Sequence, residues 1–210
     1  EIYTLSLHDA LPISILKGDV NIILECMPED YVDAVYGGAE EATIDGDVEL
    51  TVTSGKFGRV FGGNNKGGNI RGSITVNVNE DGCKPLIIGE LYGGGNAAPY
   101  SVFGCTKDGE TWTASESGTT YYDTDTQDGR DNINVNVIAC TSVGKVFGGG
   151  MGATAKVIGN THVNINMFKG WIDDPENPGQ RKLNSLGKIG QVFGGVGEAD
   201  VIGNTLVNIG

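Results

Sequence analysis

Nowhere does the chain run through the roughly 18 consecutive apolar residues of a bilayer-spanning helix, so no segment reads as one. Proline is scarce, at 6 residues in 210, and glycine follows no three-residue period, which excludes a collagen-like chain. Basic residues are also few: 14 Lys and Arg face 27 Asp and Glu, for a formal net charge of −13 at pH 7. A surface of that sign repels a phosphate backbone, so nucleic acid is not an expected partner. Histidine occurs only at His8 and His162. No Ser or Cys stands at a recognised spacing from His162, so a nucleophilic triad has no basis and His162 reads as a surface residue at a strand edge. Cys26, Cys83, Cys105 and Cys140 contain no CxxC pair, which argues against zinc. Their three possible pairings stay open, beside the default of small buried thiols. What the chain has in excess is glycine, 35 residues, against about 7% in an average protein. Each glycine costs backbone entropy on folding, so this density demands a regular use, and the abundant periodic Val and Ile argue against a flexible linker.

Residues 1–14, EIYTLSLHDALPIS, fail as a signal peptide: they have no basic start, they carry Asp9, and no small-residue cleavage site follows. Their first thirteen residues resemble the conceptual translation of a widely used sequencing-library adapter. That resemblance implies a translated environmental read whose native start is missing, with fold reasoning beginning at residue 15.

From there one motif recurs. Its first block is Val20–Leu24, Val48–Val52, Ile74–Val78, Ile133–Val137, Val163–Met167 and Val207–Ile209. Its second is Val35-Tyr36-Gly37-Gly38, Val60-Phe61-Gly62-Gly63, Leu91-Tyr92-Gly93-Gly94, Val146-Phe147-Gly148-Gly149 and Val192-Phe193-Gly194-Gly195. Its third is Ile44, Ile70, Ile158 and Ile202, each just before a glycine. Alternating β-branched residues bounded by Gly, Asn and Asp predict strands, and helical spacing is absent. A unit of about 26 to 30 residues cannot bury its own apolar face, but stacked units can. The expected fold is therefore all-β: a β-solenoid, in particular a parallel β-helix with one unit per coil. An antiparallel β-sandwich or propeller is the alternative. Stacking aligns Val20, Val48, Ile74, Ile133, Val163 and Val207 in one inward column, and Leu24, Val52, Val78, Val137 and Met167 in another. Asn21, Glu49, Thr75, Asn134, Asn164 and Asn208 form an outward column, where amides spaced about 4.8 Å apart can hydrogen-bond as a ladder. Residues 97–131 and 168–188 are insertions expected to loop out, and insertions on a repeat scaffold often mark its binding face.

Three sets of residues are candidates for function. Strand alternation turns Tyr36, Phe61, Tyr92, Phe147 and Phe193 outward, and an exposed aromatic ladder beside flat Gly-Gly backbone suits stacking on sugar rings. The competing reading is structural, with each ring packing at a corner over the glycines or its neighbours. Asp123, Asp125, Asp128 and Asp131 offer closely spaced oxygens for Ca²⁺, although Gln127 and Asp128 break the EF-hand pattern and a solvated acidic loop is the simpler reading. Asp173, Asp174 and Glu176 are weaker in the same sense. Carboxylates and basic residues clustered on one coil face would support a carbohydrate-active enzyme, and no spacing marks such a group.

The phrases at 146–150, 158–165, 192–195 and 202–209, Val-Phe-Gly-Gly and Ile-Gly-Asn-Thr-x-Val-Asn-Ile, resemble the Gly-rich repeats of large bacterial cell-surface and secreted proteins of the adhesin type. The resemblance spans most of 15–210. It implies an exported structural or adhesive repeat segment at the cell surface and is uninformative about the ligand; an extracellular glycan or a host or neighbouring surface is the expected partner, and no cofactor is expected beyond the weak Ca²⁺ reading. It supplies no catalytic residues.

Overall fold

The computed structural model describes residues 15–27, 31–101, 105–108, 111–114, 132–174 and 176–210, and every regular element among them is a β-strand. Numbered in chain order, there are nineteen. The first face is built from β2 (Val20–Leu24), β5 (Val48–Val52), β7 (Ile74–Asn79), the first half of β12 (Asn132–Phe147), β14 (Asn160–Ile165) and β19 (Thr205–Ile209). Each pairs in parallel with the next, and each opens one unit, numbered 1 to 6 below. The second face takes β3 (Tyr31–Tyr36), β6 (Gly55–Phe61), β8 (Leu86–Tyr92), the second half of β12 and β17 (Leu186–Phe193), again all parallel. Because β12 runs unbroken through the corner, with a register irregularity between Val137 and Ala139, the two faces form one bent ten-stranded sheet.

Short strands make a third face. β1 (Ile15–Lys17) pairs with β4 (Thr43–Asp45), and Ile44 bridges Ile70. β9 (Tyr100–Ser101), β13 (Val157–Ile158) and β18 (Val201–Ile202) form a three-stranded parallel sheet. Asn69 joins the two groups, its Nδ2 donating to Ser101 O at 2.8 Å and its Oδ1 accepting from Ser101 N at 2.8 Å. Among the described residues, antiparallel pairing occurs only in two hairpins within the insertions, β10 (Cys105–Asp108) with β11 (Thr111–Ala114) and β15 (Trp171–Asp173) with β16 (Arg181–Leu183). The units therefore stack in parallel, unlike those of an antiparallel sandwich.

Between the faces lies one core. Leu50, Val76, Val135 and Val163 from the first face are fully buried with Val60, Leu91 and Val146 from the second and Ile44 and Val157 from the third. Each such side chain contributes about 1.5–3 kcal/mol relative to exposure.

Two expected columns need correction. β14 sits two residues from the expected register: Thr161, not Val163, lies beside Ile133, and Val163 lies beside Val135. A slip of two keeps every side chain on its own face, so the apolar pattern cannot detect it. The turn decides instead. Gly46-Asp47, Gly72-Ser73, Gly159-Asn160 and Gly203-Asn204 each precede a first-face strand, and their side chains clamp successive units: Asp47 Oδ1 accepts from Ser73 N at 2.7 Å, and Asn160 Oδ1 from Asn204 N at 2.9 Å. Thr161 consequently enters the core, where its hydroxyl donates to Gly194 O. Met167 leaves its expected column, because the chain turns away at Asn166, which has φ 59°.

The amide ladder moves with the register. It comprises Asn77, Asn136, Asn164 and Asn208, the Nδ2 of the last three donating to the Oδ1 of the asparagine one unit before at 2.9, 3.0 and 2.8 Å. Asn21, Glu49, Thr75 and Asn134 occupy the neighbouring column, which His162 and Leu206 complete. Asn164→Ala removes two ladder bonds and strands a donor and an acceptor on half-buried neighbours. A loss of about 1–2 kcal/mol is expected, read as a lower urea midpoint at unchanged slope.

Candidate functional site

The five aromatics of the second block stack face to face. Ring centroids are 5.1, 4.9, 4.7 and 4.7 Å apart from Tyr36 through Phe61, Tyr92 and Phe147 to Phe193, with interplanar angles of 4–11°. Parallel strands about 4.8 Å apart bring identical side chains to ring-stacking distance, so each interior ring has both faces covered by its neighbours. The outward, open ladder expected from alternation is thereby corrected: Phe61 is 0% and Tyr92 4% exposed, Tyr36 and Phe147 are half-buried, and only Phe193 at the last rung is 42% exposed. Alternation fails here because the chain turns a corner at the following glycines, and the next turn comes back past the rings. A Cβ on Gly197 would lie 3.9 Å from Tyr92 Cε1.

Beside the stack, Ala34, Arg59, Glu90, Lys145 and Gln191 align in one row. Arg59 pairs with Asp33 at 3.4 Å and Lys145 with Glu90 at 2.9 Å. The Tyr92 hydroxyl donates to the other Glu90 oxygen at 3.1 Å. Lys145 and Tyr92 hold the Glu90 carboxyl below the usual glutamate range, while burial and the adjacent Glu90 charge push the Tyr92 phenol up to about 12. A depressed carboxyl favours folding above its unfolded pKa, and that contribution is lost as pH falls through the lower, folded value. Glu90→Gln should therefore lose less thermal stability than the parent between about pH 6 and pH 3, a difference read from paired melting curves. Identical pH slopes would show that Glu90 has no such role.

Cys26 and Cys83 form a disulfide with Cα atoms 5.6 Å apart, and since Cys140 is free the chain realises this single bridge and none of the three two-bridge pairings. It links unit 1 to unit 3 across unit 2, whose turn at that corner is only Thr53-Ser54. Thr53 and Ser54 are buried. Ser54 Oγ accepts from Met27 N at 2.8 Å, and Thr53 Oγ1 donates to Asp81 Oδ2 at 2.8 Å, so the two longer turns close over the short one. Cys140 is free and buried, and burial pushes its thiol up to about 11. The Cys140 peptide is expected to stay unalkylated by iodoacetamide at neutral pH until denaturant is added, which peptide mass mapping reads directly.

The second insertion does not loop freely outward. Its hairpin, β15 with β16, lies against the corner of unit 3: Asn184 Nδ2 donates to Glu80 O at 2.6 Å, and Ile172 is the nearest side chain to Gly82. Asp174 is spent on the hairpin turn, accepting from Glu176 N at 3.1 Å and Asn177 Nδ2 at 2.7 Å, contacts that hold its carboxyl low. Met167, Phe168, Trp171 and Leu183 are left about half exposed around the hairpin. Phe168 lines an open groove of about 350 Å³ together with Thr51, Asn77, Asn79, Asn136 and Ile138. Asn79 Oδ1 is buried there without a hydrogen-bond partner.

Asp123, Asp125, Asp128 and Asp131 lie outside the described residues, and among the described residues no three His, Cys, Asp or Glu gather to hold a metal. No described helix is long and apolar enough to cross a membrane. The amide groove was missed by sequence reasoning, although the Asn at the fourth position of most first blocks was a usable signal once the Gly-Asn turn set the register. No protein-family model, curated protein or solved structure matches the chain.

Proposed function

We propose that residues 15–210 are a β-solenoid segment, in the parallel β-helix sense, of an exported bacterial surface protein, and that it serves as a structural and adhesive scaffold. The observation that carries this reading is the in-register parallel stacking of successive units, through which every unit presents the same outward rows. The Cys26–Cys83 bridge supports an oxidising compartment, where such bonds persist. On the second face Arg59 pairs with Asp33 and Lys145 with Glu90, as suits a solvated scaffold. Chain-coated beads are expected to adhere to polysaccharide- or mucin-coated surfaces more than albumin-coated beads do; equal, background adhesion on all surfaces removes the reading.

The second reading is a carbohydrate-active β-helix enzyme, favoured by Arg59, Glu90 and Lys145 in one row across three units, with Asp33 of unit 1 paired to Arg59. Against it, Glu90 is held ionised by Lys145, the reverse of the raised pKa that a general acid needs. Release of reducing or unsaturated sugar ends by the chain, lost in Glu90→Gln, would decide for the enzyme.

A further inference from the structure

We propose that the groove on the outer side of the first face, between the amide ladder and Phe168, binds an extended, uncharged polysaccharide chain. This rests on the adhesive reading above and names its ligand class and site. The lining is Thr51, Asn77, Asn79, Asn136, Ile138 and Phe168, drawn from units 2, 3 and 4 and from the turn after β14. It runs along the stacking axis, so its polar groups repeat about every 4.8 Å. A chain of linked pyranose rings advances by a similar distance per ring, which lets successive rings meet equivalent groups.

The chemistry of the lining selects the ligand. Asn136 uses one N–H on Asn77 Oδ1 and one lone pair on Asn164 Nδ2, which leaves it a second N–H and a second lone pair. A sugar hydroxyl both donates and accepts, so one hydroxyl can take either. Phe168, 51% exposed, lines the same groove and offers the apolar ring surface that the buried aromatic stack withholds. Sugar rings carry an apolar C–H face that packs on such a ring, and ligand sites in general combine apolar surface with a few placed polar groups.

Other ligand classes fit less well. No charged side chain lines the groove, and Glu49 Oε1 accepts from Asn77 Nδ2 at its unit 2 end. On a chain of net charge −13, that end repels uronate or sulfate groups. A peptide strand would need an unpaired sheet edge, and β7 and β12 are paired on both sides here.

The test is affinity electrophoresis of the full chain through gels containing neutral polysaccharides (a mixed-linkage glucan, xylan, mannan) or acidic ones (pectate, alginate). Retardation by at least one neutral polymer is expected, with none by the acidic ones. Phe168→Ala and Asn136→Ala should each weaken it about tenfold or more, and Trp171→Ala, which removes an exposed aromatic outside the groove, should not. The Phe168 side chain is half exposed, so its variant folds even where Asn136→Ala is destabilised. Retardation only by acidic polymers overturns the proposal. So does binding that survives both groove variants, which moves the site elsewhere and leaves the adhesive reading standing. Absence of binding to every neutral polymer also overturns it, and the bead assay then decides separately whether the adhesive reading survives.

Discussion

Gly93→Ala is expected to destabilise the protein by about 3 kcal/mol, a large part of a typical domain's total stability. Gly93 is the first glycine of the third Gly-Gly pair, in the middle of the stack. Its N–H donates to Phe147 O at 2.9 Å, so its position is tied to the next unit. A Cβ there would meet Gly148 O at 2.4 Å, Ile133 Cγ2 at 2.5 Å and Val135 Cγ2 at 2.7 Å. Two of these atoms belong to the inward column of the first face. The aromatic-Gly corner of the second face therefore lies directly against the first face across a core with no room for a methyl group. The same holds one unit earlier, where a Cβ on Gly62 would meet Gly93 O, Val76 Cγ2 and Ile74 Cγ2 within 2.7 Å. Relief needs backbone movement in a neighbouring unit, which the stacking transmits onward.

The control is Gly67→Ala. Nothing lies within 4 Å of its would-be Cβ and its φ is not in the left-handed range, so the change should be neutral or stabilise by up to about 1 kcal/mol through the unfolded chain. Urea midpoints of the two variants give the comparison, and a parental midpoint for Gly93→Ala would sink the close-packing account.

The double change Cys26→Ser, Cys83→Ser should cost about 4 kcal/mol, the loop-closure value for a bridge spanning 57 residues. The bridge restrains the unfolded chain, but its native position gives the loss a direction. Unit 1 lies at one end of the stack, where its first-face strand β2 pairs with β5. Without the bridge, unit 1 keeps this strand pairing and the Ser54 and Thr53 contacts, and should open before units 3 and 4. Hydrogen exchange is expected to speed up first in 20–24 and 31–36, with little change in 133–137. Dithiothreitol on the parent should reproduce both the midpoint shift and the pattern. Uniform acceleration along the chain would show that the bridge acts only on the unfolded state, and alkylation of Cys26 or Cys83 without reductant would show that it is absent.

Strand identity was legible from the alternation Ile74-Thr-Val-Asn-Val and its copies, since period two with β-branched residues has one physical interpretation. Inward placement of Leu50, Val76, Val60 and Leu91 was legible for the same reason: an apolar residue at every copy of one position has only the core to face. The repeat length followed from the spacing of the first blocks, and a regular use for glycine from the Val-aromatic-Gly-Gly phrase. The pattern said nothing of which two-residue register β14 adopts, because a shift of two preserves it. It was misleading about Phe61 and Tyr92, whose burial depends on the chain turning at Gly62 and Gly93.

The sequence by itself thus determined an all-β chain of repeated units, the residues that face inward, and a strongly acidic charge balance. Those properties reside in local periodicity and composition. The tertiary structure alone decided that Asn77, Asn136, Asn164 and Asn208 form one ladder, that Cys26 takes Cys83, that five rings cover one another's faces, and that Phe168 lines the groove beside the ladder. Each of these depends on distances between units far apart in sequence, which are set by the turn hydrogen bonds at Asp47 and Asn160 and by the absence of Cβ atoms at Gly62 and Gly93.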